Sequence, residues 1–250
     1  MPRLELPPLA PADYRISVVL PVYAETDTVR EVARWLIERL GASLHQIVIV
    51  ISPKSGEASR RVCEELAAAD PRVSIHVQQV NPGLGNAVRE GFRHVTGNLV
   101  LNIDSDGEME NETVSRMLEA MRARGLDLVL ASRWMRGGGF SGYSSLKYVL
   151  NWCFQQVFRV LFITRVNDLT YGFKLMRAEY ARRIAWEGTL HEIACETTLK
   201  PIRLGARAAA VPSRWTARTQ GQSKNTFWRT FRYVGMALKI RFKNVRLVDS

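Results

Sequence analysis

The chain is organised around the stretch Leu99-Val100-Leu101-Asn102-Ile103-Asp104-Ser105-Asp106. Its first five residues are mostly apolar, and a short apolar run bounded by polar residues predicts a buried strand. The two carboxylates stand where that strand ends, which is the edge where open α/β sheets bind ligands. Carboxylates at this spacing suit a hard divalent cation that also binds phosphates. We therefore predict a metal–diphosphate site here. A solvated turn is the alternative, because Asp-x-Asp alone is weak evidence among 24 acidic residues.

Length and composition indicate one large α/β domain, or one domain with an appendage. The chain has 250 residues, of which 46% are hydrophobic, enough for a core without disulfides or structural metals. Its three cysteines, Cys63, Cys153 and Cys195, are widely spaced and match neither a disulfide framework nor a zinc motif. A reducing compartment is the simple inference. The Pro-rich first fifteen residues do not resemble a signal peptide, and no run approaches the roughly 20 apolar residues of a membrane span.

Strand and helix patterns alternate along the first half of the chain. A capping-box pattern, Thr28 to Glu31, predicts the start of the first helix. This alternation predicts a mostly parallel sheet flanked by helices. We expect an irregular lead-in over 1–14, the main domain over 15–224 and a basic amphipathic helix and tail over 225–250. The predicted strands are residues 16–21, 47–51, 73–77, 99–103 and 127–131.

The net charge of +11 comes mostly from the end of the chain, because residues 214–250 hold nine Lys or Arg and one acid. The last predicted helix has an apolar stripe beside these basic residues. That pattern favours an anionic membrane surface over nucleic acid, which needs no apolar stripe. A helix packed on its own domain remains the alternative. The apolar stripe consists of Phe227, Phe231, Val234, Leu238, Phe242 and Val245.

A second apolar helix is predicted over residues 147–163. Its polar residues form one narrow stripe, four residues apart. A helix this apolar is either buried in the core or lies in a bilayer interface, and the sequence leaves both interpretations open. The polar stripe consists of Lys147, Asn151, Gln155 and Arg159.

A glycine-rich loop, residues 81–86, opens the third helix. Glycines here would let the backbone approach a phosphate. The loop lacks both Gly-x-Gly-x-x-Gly and the Lys-Ser/Thr of a P-loop, so a plain turn is favoured over a phosphate-binding loop.

Several motifs, taken in order, resemble the GT-A nucleotide-sugar glycosyltransferases, within them the dolichol- and polyprenyl-phosphate mannosyltransferase branch of family 2. The resemblance covers roughly residues 15–225 and implies a Rossmann-like GT-A fold. The motifs are Pro21-Val22-Tyr23-Ala24-Glu25, Gly83-x-Gly85, Asp104-Ser105-Asp106, Ser132-Arg133-Trp134, Asp168 to Lys174 and Arg218 to Lys224.

The resemblance implies a role for each matched residue. The loop with Pro21, Tyr23 and Glu25 would hold the base and ribose of the nucleotide. The Asp104-Ser105-Asp106 motif would bind the donor through Mg²⁺ or Mn²⁺, held by the two aspartates.

Other matched residues would complete the site. Glu108 stands where relatives often have a further metal ligand, and Arg133 matches a donor-site arginine. Arg218, Ser223 and Lys224 would contact donor and acceptor phosphates.

One departure from the family pattern follows the second strand. Relatives usually show Val-Asp-Asp-Gly-Ser there, and this chain has Val50-Ile51-Ser52-Pro53-Lys54-Ser55. Both acids are absent, Lys54 reverses the local charge, and Val50 and Ser52 remain as candidate nucleotide contacts. The departure leaves the nucleotide, GDP or UDP, open.

These observations predict a metal-dependent, inverting glycosyltransferase. It would move a mannose-like hexose from a nucleotide sugar to a polyprenyl or dolichyl phosphate, on the cytoplasmic face of a membrane. Metal and fixed cations would stabilise the leaving diphosphate, and Arg218 is counted among the catalytic residues. Asp168 is the candidate general base if one is needed, although a structural capping role is the favoured interpretation. The alternatives are transfer to another lipid or hydroxyl acceptor, and a non-catalytic membrane-binding protein.

Overall fold

The structure, a computed structural model, describes residues 3–142, 145–217 and 227–248, and every side chain within them except those of residues 147 and 227–230. The strands are β1 (Ile16–Val22), β2 (Leu44–Ile51), β3 (Val73–Val77), β4 (Leu99–Asn102), β5 (Leu128–Ser132), β6 (Gly139–Ser141), β7 (Lys174–Arg177), β8 (Ala208–Pro212) and β9 (Arg214–Thr216). The helices are α1 (Asp27–Leu40), α2 (Glu57–Ala69), α3 (Leu84–Arg93), α4 (Thr113–Arg124), α5 (Ser145–Phe162), α6 (Ala178–Arg183), α7 (Ile193–Arg203) and α8 (Phe227–Phe242).

The described strands form a seven-stranded sheet in the order β3-β2-β1-β4-β7-β5-β8, beside a small parallel pair, β6 and β9. The apolar runs that predicted β1 to β5 all form strands, and the mostly parallel sheet is confirmed. The sequence did not predict β7, which lies antiparallel between β4 and β5.

Helices cover both faces of the sheet. Two large apolar clusters fill the space between helices and sheet, one beneath α1, α2 and α4, the other beneath α3, α6 and α7. The first helix begins at Asp27, and no side chain caps it at Thr26. The capping-box prediction for Thr28 was therefore wrong. The carboxylate of Asp27 instead stands in the first turn, where a negative charge favours the helix dipole.

The chain order around β1 positions the site. The strands run outward from β1 to β3, and the chain then returns to place β4 on the other side of β1. A crevice forms at the carboxyl ends of strands where the order reverses in this way, and ligands bind there. The Asp104-Ser105-Asp106 stretch leaves β4 at that point.

Helix α8 packs against α7 and α5, with Ala237 and Ile240 fully or nearly fully buried. Ion pairs also attach it to the domain, since Arg232 pairs with Glu192 at 2.7 Å and Lys239 with Glu187 at 2.7 Å. No helix in the described part of the chain is both long and apolar enough to cross a bilayer.

Candidate active site

The Asp104-Ser105-Asp106 turn is fastened to the end of β1. Ser105 is buried, and its hydroxyl donates to the carbonyl oxygen of Pro21 at 2.6 Å. Asp104 and Asp106 are both partly exposed. Because β4 and β1 are hydrogen-bonded neighbours, this bond fixes the aspartate turn beside the loop that begins at Pro21. The two motifs that the sequence separated by about 80 residues therefore share one edge.

The donor set of this turn fits a hard divalent cation, because both aspartates supply oxygen ligands at a solvent-accessible sheet edge. Within the described ranges, no cluster of three or more His, Cys, Asp and Glu is arranged to hold a metal. The two aspartates would thus bind the cation together with ligands from the diphosphate and water. The carboxylate of Glu108 accepts a hydrogen bond from Trp215 Nε1 at 3.0 Å. Its role as a further metal ligand stays a prediction.

Hydrogen bonds to the Glu25 carboxylate stabilise the loop after β1. A carboxylate oxygen of Glu25 accepts hydrogen bonds from the backbone N–H groups of Tyr23 at 2.7 Å and Ala24 at 3.0 Å. Tyr23 is 46% exposed at this edge of the sheet. This geometry is consistent with the predicted contacts to base and ribose.

Ser52 and Val50 differ in what they can offer a nucleotide. Val50 is fully buried and packs with Ala87 of α3, and its predicted contact with the nucleotide stays a prediction. Ser52 follows β2 directly, and its hydroxyl oxygen accepts a hydrogen bond from Asn81 Nδ2 at 2.7 Å. No sequence pattern indicated that Asn81 lies against Ser52, because the two residues are 29 positions apart.

Arg133 and Asp168 form a buried ion pair. Arg133 Nε donates to Asp168 Oδ2 at 2.8 Å and Nη2 to Oδ1 at 2.9 Å, with side-chain exposures of 8% and 0%. The guanidinium carbon also lies 4.3 Å from the centroid of the Tyr171 ring and 4.9 Å from that of Phe140. Asp168 therefore orients Arg133, and the predicted base role stays untested. Arg218, Ser223 and Lys224 lie outside the described residues.

The glycine-rich loop packs tightly on the segment before α7. A Cβ atom on Gly83 would lie 2.0 Å from the carbonyl oxygen of Thr189, and one on Gly85 would lie 2.5 Å from that of Gly188. Asn86 N also donates to the carbonyl oxygen of Thr189 at 3.2 Å. These glycines are therefore required for close backbone packing, which accounts for them without a phosphate.

Lys174 of β7 ends the motif Asp168 to Lys174, and the sequence assigned it no role. It is fully buried, and its ammonium donates to Ala194 O at 2.7 Å and to the hydroxyls of Thr197 and Thr198 at 2.8 Å. These acceptors are all neutral, and no ion pair to Lys174 occurs among the described residues. Burial therefore lowers the pKa of Lys174 to about 7.

Lys174 is expected to make stability depend on pH. The unfolded chain binds the lysine proton up to a pH near 10.5, whereas the folded chain releases it from about pH 7. Below pH 7 the folded chain therefore bears the full free-energy cost of burying the charged lysine. This cost decreases as the pH rises from 7 to about 10.

In chemical unfolding over this range, we expect the free energy of unfolding to rise relative to that of Lys174→Met by up to about 1.4 kcal/mol per pH unit. Lys54→Met, at an exposed lysine, is the control. The difference in free energy of unfolding between the unaltered chain and this variant should stay nearly constant over the same pH range. A difference that stays constant from pH 7 to 10 would contradict the prediction.

Comparison with known proteins shows the family to which the chain belongs. Residues 17–185 match the family model described as Glycosyl transferase family 2. The chain is 27% identical over 216 residues to the undecaprenyl-phosphate mannosyltransferase of Micrococcus luteus, covering 84% of this chain and 87% of that protein. It is 28% identical over 218 residues to the polyprenol monophosphomannose synthase of Mycolicibacterium smegmatis, covering 84% and 80%.

Two further comparisons concern length and fold. The dolichol-phosphate mannosyltransferase of Pyrococcus furiosus is 23% identical over 215 residues, and the chain spans 59% of its length. Glucosyl-3-phosphoglycerate synthase from Mycobacterium tuberculosis, crystallised with Mn²⁺, UDP and glucosyl-3-phosphoglycerate, has a TM-score of 0.67 at 20% identity, covering 92% of this chain and 80% of that one. The fold is thus that of the GT-A enzymes. With the family match extending over two thirds of its length, this chain belongs to glycosyl transferase family 2 and is a nucleotide-sugar-dependent glycosyltransferase.

Proposed function

We propose that this glycosyltransferase transfers a mannose-like hexose from a GDP- or UDP-sugar to a polyprenyl phosphate at the cytoplasmic surface of a membrane. The names of three relatives, each a polyprenyl- or dolichol-phosphate mannosyltransferase or synthase, support the acceptor class. The observation that carries the proposal is the orientation of α5, which turns an apolar side outward beside the Arg133–Asp168 pair.

Asn151 and Gln155 of the polar stripe of α5 face the protein. Gln155 is buried, and its side chain bonds to Asn151, to the Thr170 hydroxyl at 3.1 Å and to the backbone N–H of Leu169 at 2.8 Å. Arg133 Nη2 lies 3.4 Å from the same Thr170 hydroxyl. Helix α5 is therefore fixed to the loop that orients Arg133.

The apolar residues of α5 divide into two sets. One set enters the core, namely Phe154, Phe158 and Phe162. The other is exposed, and α8 adds exposed apolar residues beside it, since Arg241 Nε donates to Leu161 O at 2.9 Å and joins the two helices. We call this exposed set the apolar face; it consists of Leu146, Val149, Trp152, Val157, Val160, Ile163, Phe231, Leu238 and Phe242.

A lipid bilayer fits the apolar face better than a protein partner does, because exposed basic residues flank it in the sequence. Arg165 and Lys243 are exposed close to its ends in sequence, and the tail carries most of the net charge. Each basic residue near an anionic surface contributes about 1 kcal/mol to membrane binding. Apolar side chains flanked by basic residues are the pattern of an interfacial helix.

An open groove connects the apolar face with the site. It has a volume of about 760 Å³ and lies between the 133–142 loop and α5. Its wall holds a cluster of three rings, with centroids of Trp134 4.8 Å from Phe140 and 4.7 Å from Tyr148. Arg133 and Arg136 also line it. Aromatic rings beside guanidinium groups suit a phosphate attached to an apolar chain, so we assign the acceptor to this groove.

The chemistry proposed for the site needs cations more than a base. A lipid phosphate is already anionic, so its oxygen can attack the anomeric carbon without losing a proton as the bond to the nucleoside diphosphate breaks. A divalent cation held by Asp104 and Asp106 would supply charge stabilisation for the leaving diphosphate. Asp168 holds Arg133 in a fixed orientation, which avoids reorganisation during the reaction. Arg218 and Lys224 are the remaining cations proposed for the phosphates.

Transfer of labelled sugar to polyprenyl phosphate in anionic vesicles tests the proposed function. We expect product from GDP-mannose or UDP-hexose with Mn²⁺ or Mg²⁺, and none after EDTA treatment. The same polyprenol without its phosphate is the matched control acceptor. It should not be glycosylated, because its hydroxyl is neutral and must lose a proton to react. Equal transfer to the free alcohol would instead support the hydroxyl-acceptor alternative, which requires a general base.

Membrane docking has its own test. Val160 of the apolar face is 79% exposed, and Val160→Glu should reduce co-sedimentation with anionic vesicles by at least about tenfold. The variant lacks the apolar side chain that would be buried in the bilayer, and it adds a charge that must be desolvated there. Val77→Glu is the control, since Val77 is 42% exposed on the edge strand β3, outside this face. Similar binding by both variants would contradict the assignment.

A further inference from the structure

The turn after β2 is hydrogen-bonded to both neighbouring strands at the carboxyl ends of the strands, where we propose that the nucleotide binds. Ser52 N donates to Val22 O at 3.0 Å, and Gln78 N donates to Ile51 O at 2.8 Å. The ends of β1, β2 and β3 therefore meet at Ser52, which is 4% exposed. This turn stands beside the loop that carries Tyr23 and Glu25, at the position where relatives usually have two acids.

Hydrogen bonds determine which way the Asn81 amide points. Gln78 Nε2 donates to Val80 O at 2.8 Å and to Gly83 O at 3.0 Å, so Gln78 must present its oxygen on the other side. That oxygen accepts from Asn81 Nδ2 at 3.0 Å. A flipped Asn81 would place two oxygens against each other. The amide therefore directs Nδ2 toward Gln78 and Ser52, and Oδ1 away from them.

Asn81 Oδ1 is a buried acceptor that receives no hydrogen bond from any described residue. Buried polar atoms in folded proteins nearly always have a partner, so an acceptor left in this way points to a donor group on a ligand. Ser52 complements it. Its hydroxyl oxygen accepts from Asn81 Nδ2 at 2.7 Å and from Lys54 N at 3.2 Å, so both lone pairs are used and the proton is left to donate.

The charge on this turn is positive. Arg60 holds its backbone, donating to Pro53 O at 2.6 Å and to Ser55 O at 3.1 Å, and Lys54 is exposed. No acid occurs between residues 52 and 56. Cations beside the edge of a base favour carbonyl oxygens over amino groups.

We propose that Asn81 and Ser52 contact the base of the nucleotide donor and select uracil over guanine. This inference rests on the proposed function. The ring N–H of uracil donates to Asn81 Oδ1, one flanking carbonyl accepts from the Ser52 hydroxyl, and the second carbonyl faces the cationic turn. Guanine has a carbonyl on only one side of its ring N–H and an amino group on the other, and this turn has no carboxylate to receive that amino group.

Calorimetry on the full chain with Mn²⁺ tests the inference with UDP, GDP and N3-methyl-UDP, which lacks the ring N–H. We expect UDP to bind at least about tenfold more tightly than GDP, and N3-methylation to weaken binding by about three- to tenfold, the value of one hydrogen bond. In Asn81→Ala, UDP and N3-methyl-UDP should bind within about twofold of each other. Gln79→Ala removes an exposed amide from the same loop and should leave all affinities unchanged.

The outcomes separate this inference from the proposed function. Tighter binding of GDP than of UDP would overturn the inference and leave the proposed function standing. An equal effect of N3-methylation in the unaltered chain and in Asn81→Ala would also overturn it. If neither nucleotide binds with Mn²⁺, both fail. If Asn81→Ala does not fold, the comparison of UDP, GDP and N3-methyl-UDP on the unaltered chain decides.

Discussion

Replacing Asp106 with asparagine is expected to lower sugar transfer by about 10³-fold or more while the protein remains folded. The change removes one of two carboxylates at the end of β4 and with it one unit of negative charge from the proposed metal site. A divalent cation contributes several kcal/mol to stabilising a leaving diphosphate, and about 4 kcal/mol corresponds to 10³ in rate. Because Asp106 is partly exposed and follows the strand, its loss should shift the thermal midpoint little.

Three measurements check this expectation, namely the transfer rate, nucleotide affinity with and without Mn²⁺, and thermal unfolding. Asp13→Asn makes the same chemical change at an exposed carboxylate near the opposite edge of the sheet and serves as the control. Metal-dependent nucleotide binding that survives in Asp106→Asn, with more than a tenth of the activity, would show that this turn does not hold the cation.

Asp168→Asn is expected to reduce the free energy of unfolding by about 3–5 kcal/mol. The mutation leaves the Arg133 guanidinium, which is 8% exposed, without its counter-ion, and breaking a buried pair from one side is strongly destabilising. Glu65→Gln removes an exposed carboxylate paired with Arg30 and Arg61 and should change the free energy of unfolding far less, because water screens exposed ion pairs. Chemical unfolding monitored by circular dichroism measures both.

A paired replacement sharpens the test of Asp168. Arg133→Met with Asp168→Leu removes both charges together, and we expect it to recover most of the lost stability, since apolar pairs often substitute for buried ion pairs. The double variant should nevertheless be inactive, because it lacks the oriented arginine. An Asp168→Asn protein of full stability that binds nucleotide normally but transfers no sugar would contradict the structural role and support Asp168 as a general base.

Local sequence was sufficient to predict the first half of the fold. Strands β1 to β5 come from short apolar runs, and the helices between them from apolar residues at helical spacing, so each element can be recognised from its own residues. The site edge followed from the same pattern, because a carboxylate pair after a buried strand must lie at the carboxyl end of the sheet. The bond from Ser105 to Pro21 agrees with that placement.

Short strands and pairings between distant residues were not predictable in this way. Strand β7 has four residues and includes Lys174, a residue type that patterns assign to the surface. Its burial depends on Thr197 and Thr198 of α7, which only the fold brings to it. Asn81 likewise meets Ser52 because β2 and β3 are neighbours.

By itself the sequence determined the α/β alternation, the sheet edge that carries Asp104 and Asp106, and the amphipathic character of α5 and α8. Only the tertiary structure decided which side of α5 faces solvent. Gln155 of its polar stripe bonds to Thr170, Phe154 and Phe158 enter the core, and the side with Val160 is exposed. The physical reason is that periodicity records how residues are distributed around a helix, whereas the partner of each face is set by contacts between residues far apart in the chain.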